Sequence, residues 1–473
     1  MDVKREPPTT KSAFDFVDEN SMAMLIDLYE LTMCASYFDQ TRNETATFDL
    51  FIRKLPPNRS YYLFAGLEQA LLYLNHMKFS QEHIDYLQEH GFKQDFLNYL
   101  KDFKFSGEVW AVPEGTVVFP NEPLIRITAP IIEAQLVESF LLNTVNLQTM
   151  LATKASRVVQ AARGRSVVEF GLRRTQGADA GMKAARCSYI AGASGTSNVL
   201  AGKKYGIPIF GTMAHSFVMF FDNELGAFRA FTDTFPDRST LLIDTYNNMK
   251  GAENAAIVAK ELEKRGFQLG SVRLDSGDFV EISKKVRQLL DQKGLKHVKI
   301  FASGDLDEYK IQRLINKGAR IDAFGVGTRM STSEDRPYAD IIYKLCEKME
   351  KNGEFHPTMK LSQGKITLPA RKQVHRVTDR RGNFVKDIIA IHDEDVEGEP
   401  LLIKVMEKGR ITYNLPAIDE IRENASENLS RLPQEHKRLD GAVDYPVHLS
   451  PRLKKLVNTL TEELKKIEVE SHA

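Results

Sequence analysis

Apolar residues fall in two different rhythms along this 473-residue chain. In the first part, residues 21–40 ("SMAMLIDLYELTMCASYFDQ") place them at helical intervals behind Ser21, a suitable N-cap. Residues 46–53 ("ATFDLFIR") alternate like a strand, and "YYLFAGLEQALLYLNHM" returns to the helical period. Short helices are predicted over 81–103, and several short strands over 107–132, where β-branched residues are punctuated by Pro and Gly. A long helix is predicted from residue 133. This is an α+β opening.

The rhythm then changes to continuous apolar runs separated by helical patterns: "SVVEF" (166–170), "IPIFGT" (207–212), "TLLIDT" (240–245), "SVRLDS" (271–276), "VKIFAS" (298–303) and "IDAFGV" (321–326). Phe170, His215, Asp244, Asp275, Asp305 and Gly325 are spaced 45, 29, 31, 30 and 20 residues apart, and a βα unit takes about 30. Uninterrupted Val/Ile/Leu runs belong to strands buried on both faces, hence to a parallel sheet whose carboxyl ends lie on one side. A closed α/β barrel and an open doubly wound sheet both fit. The lack of a dinucleotide fingerprint favours the barrel.

The apolar runs stop at polar groups. "EFGLRRTQG" (169–177) turns into Arg173 and Arg174, and "GTMAHSFV" (211–218) into His215 and Ser216. Asp244, Asp275, Asp278, Asp305 and Asp307 follow the later runs. Each has a bland reading: His215 or Asp244 as a helix cap, the other aspartates as Asx turns. Gathered at one mouth they suit a phosphorylated, sugar-containing substrate. Gly304, Gly325 and Gly327, followed by Thr328, would let backbone N–H groups approach a phosphate. Aspartates suit ribose hydroxyls or Mg²⁺. There is no P-loop motif.

Composition narrows this only slightly. Basic and acidic residues balance at 64 each, so any anion site is local, and charge supplies no reason to expect nucleic acid. Cys34, Cys187 and Cys346 are far apart, which predicts reduced thiols rather than a disulfide framework or zinc site. The polar start "MDVKREPPTTKS" reads as a tail, not a signal peptide or membrane span, which predicts a cytoplasmic protein. The expected division is a tail over 1–12, an N-terminal α/β domain over 13–150, a catalytic barrel over 151–345, and a hairpin and helical region over 346–473 that packs back on the body.

These motifs carry a resemblance. "LIDLYELTM" (25–33), "ATFDLFIRKLP" (46–56), "EGTVVFPNEPLIRI" (114–127), "EFGLRRTQG", "GTSNVLAG" (195–202), "GTMAHSFV", "LIDTYN", "RLDSGD", "ASGDLDE" and "FGVGT" follow in order over most of the chain up to about residue 375. Together they resemble the nicotinate phosphoribosyltransferases. The resemblance implies the type II phosphoribosyltransferase architecture, an N-terminal α/β domain plus an irregular TIM-like α/β barrel, in a homodimer with shared active sites. It implies synthesis of nicotinate mononucleotide from nicotinate and phosphoribosyl pyrophosphate, with ATP consumed through a phosphohistidine at His215 and Mg²⁺ carried on the substrate; it assigns no metal ligands.

By the same resemblance, Phe170 and a partner-subunit Tyr29 would sandwich the pyridine ring, and Arg173 would meet its carboxylate. Asp275 would hold the ribose beside Arg273. Gly304, Asp305, Gly325, Gly327 and Thr328 would cradle the 5′-phosphate, Asp244 would support His215 or Mg²⁺, and Ser216 would join the substrate-binding set. Ser197 stands where related nicotinamide-using enzymes carry Asp, which favours nicotinate. Ala370 departs from the Gly expected in "KITLPARKQVHR" (365–376), and puts phosphate roles for Arg371, Lys372 and Arg376 in doubt. The alternatives are a nicotinamide or quinolinate phosphoribosyltransferase of the same fold, an unrelated barrel lyase or aldolase, and an inactive binding homologue.

Overall fold

The computed structural model describes residues 17–361, 367–441 and 443–470, without side chains for 467–470. The tail expected over 1–12, and Lys365 and Ile366 of the Ala370 motif, lie outside the described residues.

The N-terminal body is built on the strand Thr45–Ile52, buried along nearly its whole length. It lies between Pro123–Pro130 and Ile341–Met349, antiparallel to both, in a seven-stranded sheet. The sheet therefore recruits a strand from beyond the barrel, and Ile403–Glu407 extends its far side by pairing with Glu108–Ala111.

Two predicted helices are shorter than their apolar patterns. The first is a 3₁₀ turn, Met22–Met24, followed by a helix at Leu28–Asp39, because Asp27 is extended at the N-cap. The second begins only at Leu67. Tyr62–Leu63 pairs instead with Val117–Val118, and Gly66 turns the chain at φ +109°. The long helix is split at Val137 into Ile131–Leu136 and the 24-residue Glu138–Ala161. That second helix is buried on most of its faces, even at Lys154 and Arg157, which pair with Glu308.

The second body is the parallel sheet. Its strands are Ser166–Glu169, Gly195–Thr196, Thr240–Leu242, Ser271–Leu274, Lys299–Ala302 and Ala323–Val326. Neighbours in space follow chain order, and the last strand pairs with the first, Ala323 beside Ser166 through Val326 beside Glu169. An open doubly wound sheet would reverse its order partway. Pairing of last with first is barrel closure.

The barrel is irregular at one seam. "IPIFGT" contributes only the bridge from Ile209 to Thr196, and among the described residues no backbone pairing joins it to Thr240–Leu242. The two-residue strand Gly195–Thr196 was not predicted, since two residues carry no periodicity.

Outside the barrel, Asn248–Lys264, Phe279–Gln292 and Glu308–Asn316 pack apolar faces inward. Asn247, Asp278 and Asp307 cap these helices through their side chains, so Asp278 and Asp307 are caps, and the cap expected of Asp244 belongs to Asn247. Beyond the barrel, Lys372–Thr378 and Phe384–Ile391 form the centre of a four-stranded sheet. Ala370 does adopt a left-handed φ of +64°, and its N–H is donated to the Cys346 carbonyl. Lys372 and Arg376 are buried against Asp49 and Asp387, so neither is free for a phosphate. All three cysteines are free and buried. No described helix is long and apolar enough to cross a membrane.

Candidate active site

A cavity of about 550 Å³ opens at the carboxyl ends of the barrel strands. A larger hollow of about 700 Å³ on the N-terminal body has mainly apolar walls and no comparable convergence of polar groups.

One wall follows Ser166–Glu169. Phe170 lines the cavity, its ring 5.5 Å from that of Phe301. Gly325 makes room for both, since a Cβ there would stand 2.7 Å from Phe170 and 2.8 Å from Phe301. Its lack of a side chain thus serves ring packing. Arg173 and Arg174 sit on the exposed 3₁₀ turn Leu172–Arg174, and among the described residues neither forms an ion pair. This is the local positive charge that a net-neutral chain requires for anion binding. Ser197 lines the same side, its N–H donated to the Glu169 carbonyl.

The adjoining wall is organised by Arg273, whose guanidinium stands 5.8 Å from the centre of the Phe170 ring and whose three nitrogens fan out across the seam. Nε donates to Ser303 Oγ, Nη1 to Thr212 Oγ1 and Nη2 to Asp275 Oδ1, each at 2.8 Å. Burial pushes the Asp275 carboxyl up, but the Ser303 hydroxyl, Arg273 and nearby His215 outweigh it and hold the group below the usual carboxylate range. Asp275 is therefore an anion whose Oδ1 is fully engaged.

At the rim, His215 opens the helix His215–Phe220, and its Nδ1 lies 3.1 Å from Thr245 Oγ1. Asp244 does not hold the imidazole. Its Oδ2 accepts from the Asp275 N–H at 3.0 Å and the Ser276 hydroxyl at 2.6 Å, while Oδ1 is buried without a partner among the described residues. Ser216 is exposed beside His215, and neither belongs to the cavity lining.

The third wall follows Lys299–Ala302 and Ala323–Val326. Gly304 and Asp305 are successive left-handed residues, at φ +105° and +50°. Asp305 is paired with Arg329 at 2.7 Å and Lys310 at 2.5 Å, so a phosphate nearby would meet a neutralised carboxylate. Gly327 and Thr328 line the cavity, but the helix they begin, Thr328–Ser331, has only four residues. A helix this short adds little dipole, so the N–H groups of the turn are what an anion would meet.

The mouth thus gathers Phe170, Arg173, Ser197, Arg273, Asp275, Gly304, Asp305, Gly325, Gly327 and Thr328. Tyr29 is elsewhere, 46% exposed on the N-terminal body. Glu169, Thr212, Thr245 and Ser303 were not anticipated. Ser303 and Thr245 follow apolar runs as the chosen aspartates do, but a hydroxyl is a weaker sequence signal than a charge. Among the described residues no three His, Cys, Asp or Glu side chains cluster to hold a metal.

Comparison with known proteins identifies the family of the chain. Models of the nicotinate phosphoribosyltransferase N-terminal domain, family core and C-terminal domain match residues 24–146, 166–388 and 394–457. The chain is 47% identical to nicotinate phosphoribosyltransferase pncB2 of Mycobacterium tuberculosis over 91% of its length and 92% of the relative's. It is 39% identical to the Bacillus subtilis nicotinate phosphoribosyltransferase over 91% and 94%. The crystal structure of human nicotinic acid phosphoribosyltransferase superposes with a TM-score of 0.82 at 29% identity, covering 92% of this chain and 99% of that one. The chain belongs to the nicotinate phosphoribosyltransferase family.

Proposed function

We propose that this protein transfers the phosphoribosyl group of phosphoribosyl pyrophosphate to nicotinate, forming nicotinate mononucleotide for NAD biosynthesis. The observation that carries this reading is the mouth itself. An aromatic face at Phe170, two arginines without carboxylate partners among the described residues and the anion Asp275 surround one cavity sized for a base and a sugar phosphate.

In this reading the pyridine ring lies on Phe170 and its carboxylate meets Arg173. The C1–oxygen bond to pyrophosphate breaks, positive charge develops on the ribose, and the pyridine nitrogen lone pair closes on C1. Asp275 stabilises that developing charge and accepts from a ribose hydroxyl, with Arg273 fixing its angle. Mg²⁺ carried on the pyrophosphate would supply charge neutralisation for the leaving group. Asp275 Oδ2 and the unpartnered Asp244 Oδ1 are oxygen donors of the type it prefers.

His215 is the proposed acceptor of the ATP γ-phosphoryl group. Thr245 engages Nδ1, which leaves Nε2 to attack phosphorus as the bond to ADP breaks; water later cleaves the P–N bond and releases phosphate. Ser197, in place of a carboxylate, leaves the base pocket open to an acid. The homodimer is supported by exposed apolar groups in two places. Leu28 and Tyr29 project from the N-terminal body, and Val199, Ile209, Phe210 and Phe220, the last 89% exposed, project from the second.

The test is product formation from nicotinate and phosphoribosyl pyrophosphate with Mg²⁺, with and without ATP, in wild type and His215→Ala. Nicotinamide and quinolinate serve as competing bases. Product from nicotinate, with ATP stimulation abolished in the variant, is the expected result. Product from another base would reassign the substrate, and no product would leave an inactive binding homologue.

A further inference from the structure

Glu169 ends the first barrel strand and is 1% exposed, directly beneath the mouth. Among the described residues it has no cationic partner. Its charge is met by hydrogen bonds from three separate segments, a turn, a strand and a short helix. Oε1 accepts from the Gly171 N–H at 2.5 Å and the Ser331 hydroxyl at 2.6 Å, and Oε2 accepts from the Thr196 hydroxyl at 2.6 Å. Its backbone carbonyl takes the Ser197 N–H. Packing alone would be met by leucine at lower desolvation cost, whereas a carboxylate can collect several donors at defined positions.

These donors belong to different parts of the site. Gly171 adjoins Phe170 and the turn bearing Arg173. Thr196 precedes Ser197. Ser331 closes the short helix that starts at Gly327 and Thr328. The Gly171 turn is pressed directly on that helix, since a Cβ on Gly171 would stand 2.1 Å from Ser331 Oγ.

We propose that Glu169 is a positioning residue for phosphoribosyl transfer, tying the base wall, the Ser197 loop and the phosphate wall into one rigid unit. The proposal rests on the transferase reading above. Base and sugar phosphate bind on different walls, so their relative placement sets how closely the attacking nitrogen meets C1. Displacement of about 1 Å between reacting groups costs about 100-fold in rate.

The test compares Glu169→Gln and Glu169→Leu with wild type, measuring kcat, KM for each substrate and melting temperature on the full chain. Glutamine keeps both carbonyl-type bonds on one atom and donates from the other to Thr196, whose hydroxyl can turn. It is expected to keep kcat within about threefold, whereas leucine lowers kcat by about 10- to 100-fold with both KM values within about threefold. Leucine retaining kcat, or glutamine losing as much as leucine, overturns the proposal. If the leucine variant does not fold, Ser331→Ala severs only the phosphate-wall tie; a fall of about threefold or more in kcat at unchanged nicotinate KM supports the proposal, and an unchanged kcat overturns it. Wild type inactive with every base would instead overturn the transferase reading.

Discussion

Gly304 lies so close to Asp275 that a Cβ on it would stand 2.1 Å from the Asp275 carbonyl oxygen. The ends of two neighbouring barrel strands therefore touch backbone to backbone at the mouth. This contact holds Asp275 toward Arg273 and Ser303, while Asp244 secures the Asp275 N–H from the other side.

Gly304→Ala is expected to be severely damaging, because it joins that overlap to a φ of +105°, which L side chains rarely adopt. The expected cost is about 1–3 kcal/mol of stability. Activity should fall by about tenfold or more as Asp275 shifts. Thermal melting and kcat/KM measured on one preparation check both, and a fully active variant would show that Asp275 tolerates displacement.

Arg173 carries the proposed nicotinate contact, and among the described residues no carboxylate pairs with it. Loss of a hydrogen bond to a charged group costs about 1.5–3 kcal/mol, so Arg173→Ala should raise the nicotinate KM by about 10- to 100-fold. The KM for phosphoribosyl pyrophosphate should move much less. Parallel changes in both would place Arg173 at the phosphates instead.

Ser197→Asp places a carboxylate in the base wall, where like charge repels nicotinate. Nicotinate kcat/KM is expected to drop by about tenfold or more while the ratio of nicotinamide to nicotinate use rises. Ser197→Ala should change that ratio little. Unaltered selectivity in the aspartate variant would remove Ser197 from the specificity argument.

Thr245 is the described partner of His215, through Nδ1. Thr245→Val keeps the volume and removes the hydroxyl, so ATP stimulation should weaken by about tenfold while ATP-independent product formation stays near wild type. Equal loss of both activities would make the hydroxyl structural.

The Glu30 carboxyl, fully buried beside Tyr29, sets a pH dependence. Burial pushes its pKa from 4.5 up to about 7; Ser139 opposes the shift, and the charges of Glu138 and Asp27 add to it. The folded chain therefore binds this proton more tightly than the unfolded chain. Its contribution favours folding at low pH and is lost as pH rises from about 4.5 through 7. Glu30→Gln should flatten that part of the stability profile and raise stability at pH 8 in urea unfolding. A profile identical to wild type would show that Glu30 ionises freely.

The barrel strands were legible because Val167, Leu241, Val272 and Ile300 are buried, and parallel strands covered by helices read as apolar runs. Parallel strands end on one side, which puts Arg173, Asp275 and Gly304 at a common mouth. The chain also determined its family, through motifs spread over most of its length.

Local pattern could not go further where the deciding partner is remote. The first helix stops short because Asp27 is extended, and Tyr62–Leu63 leaves the helical pattern because a strand at Val117–Val118 pairs with it. Glu169 looks like an ordinary strand end until Ser331, 162 residues away, donates to it. Arg273 becomes the staple of the seam only when Thr212 and Ser303 are brought beside it. Residue type and periodicity decided which groups reach the mouth. Barrel closure through the pairing of Ala323–Val326 with Ser166–Glu169 decided which of them touch, because contacts between distant segments depend on how the strands curl and pack.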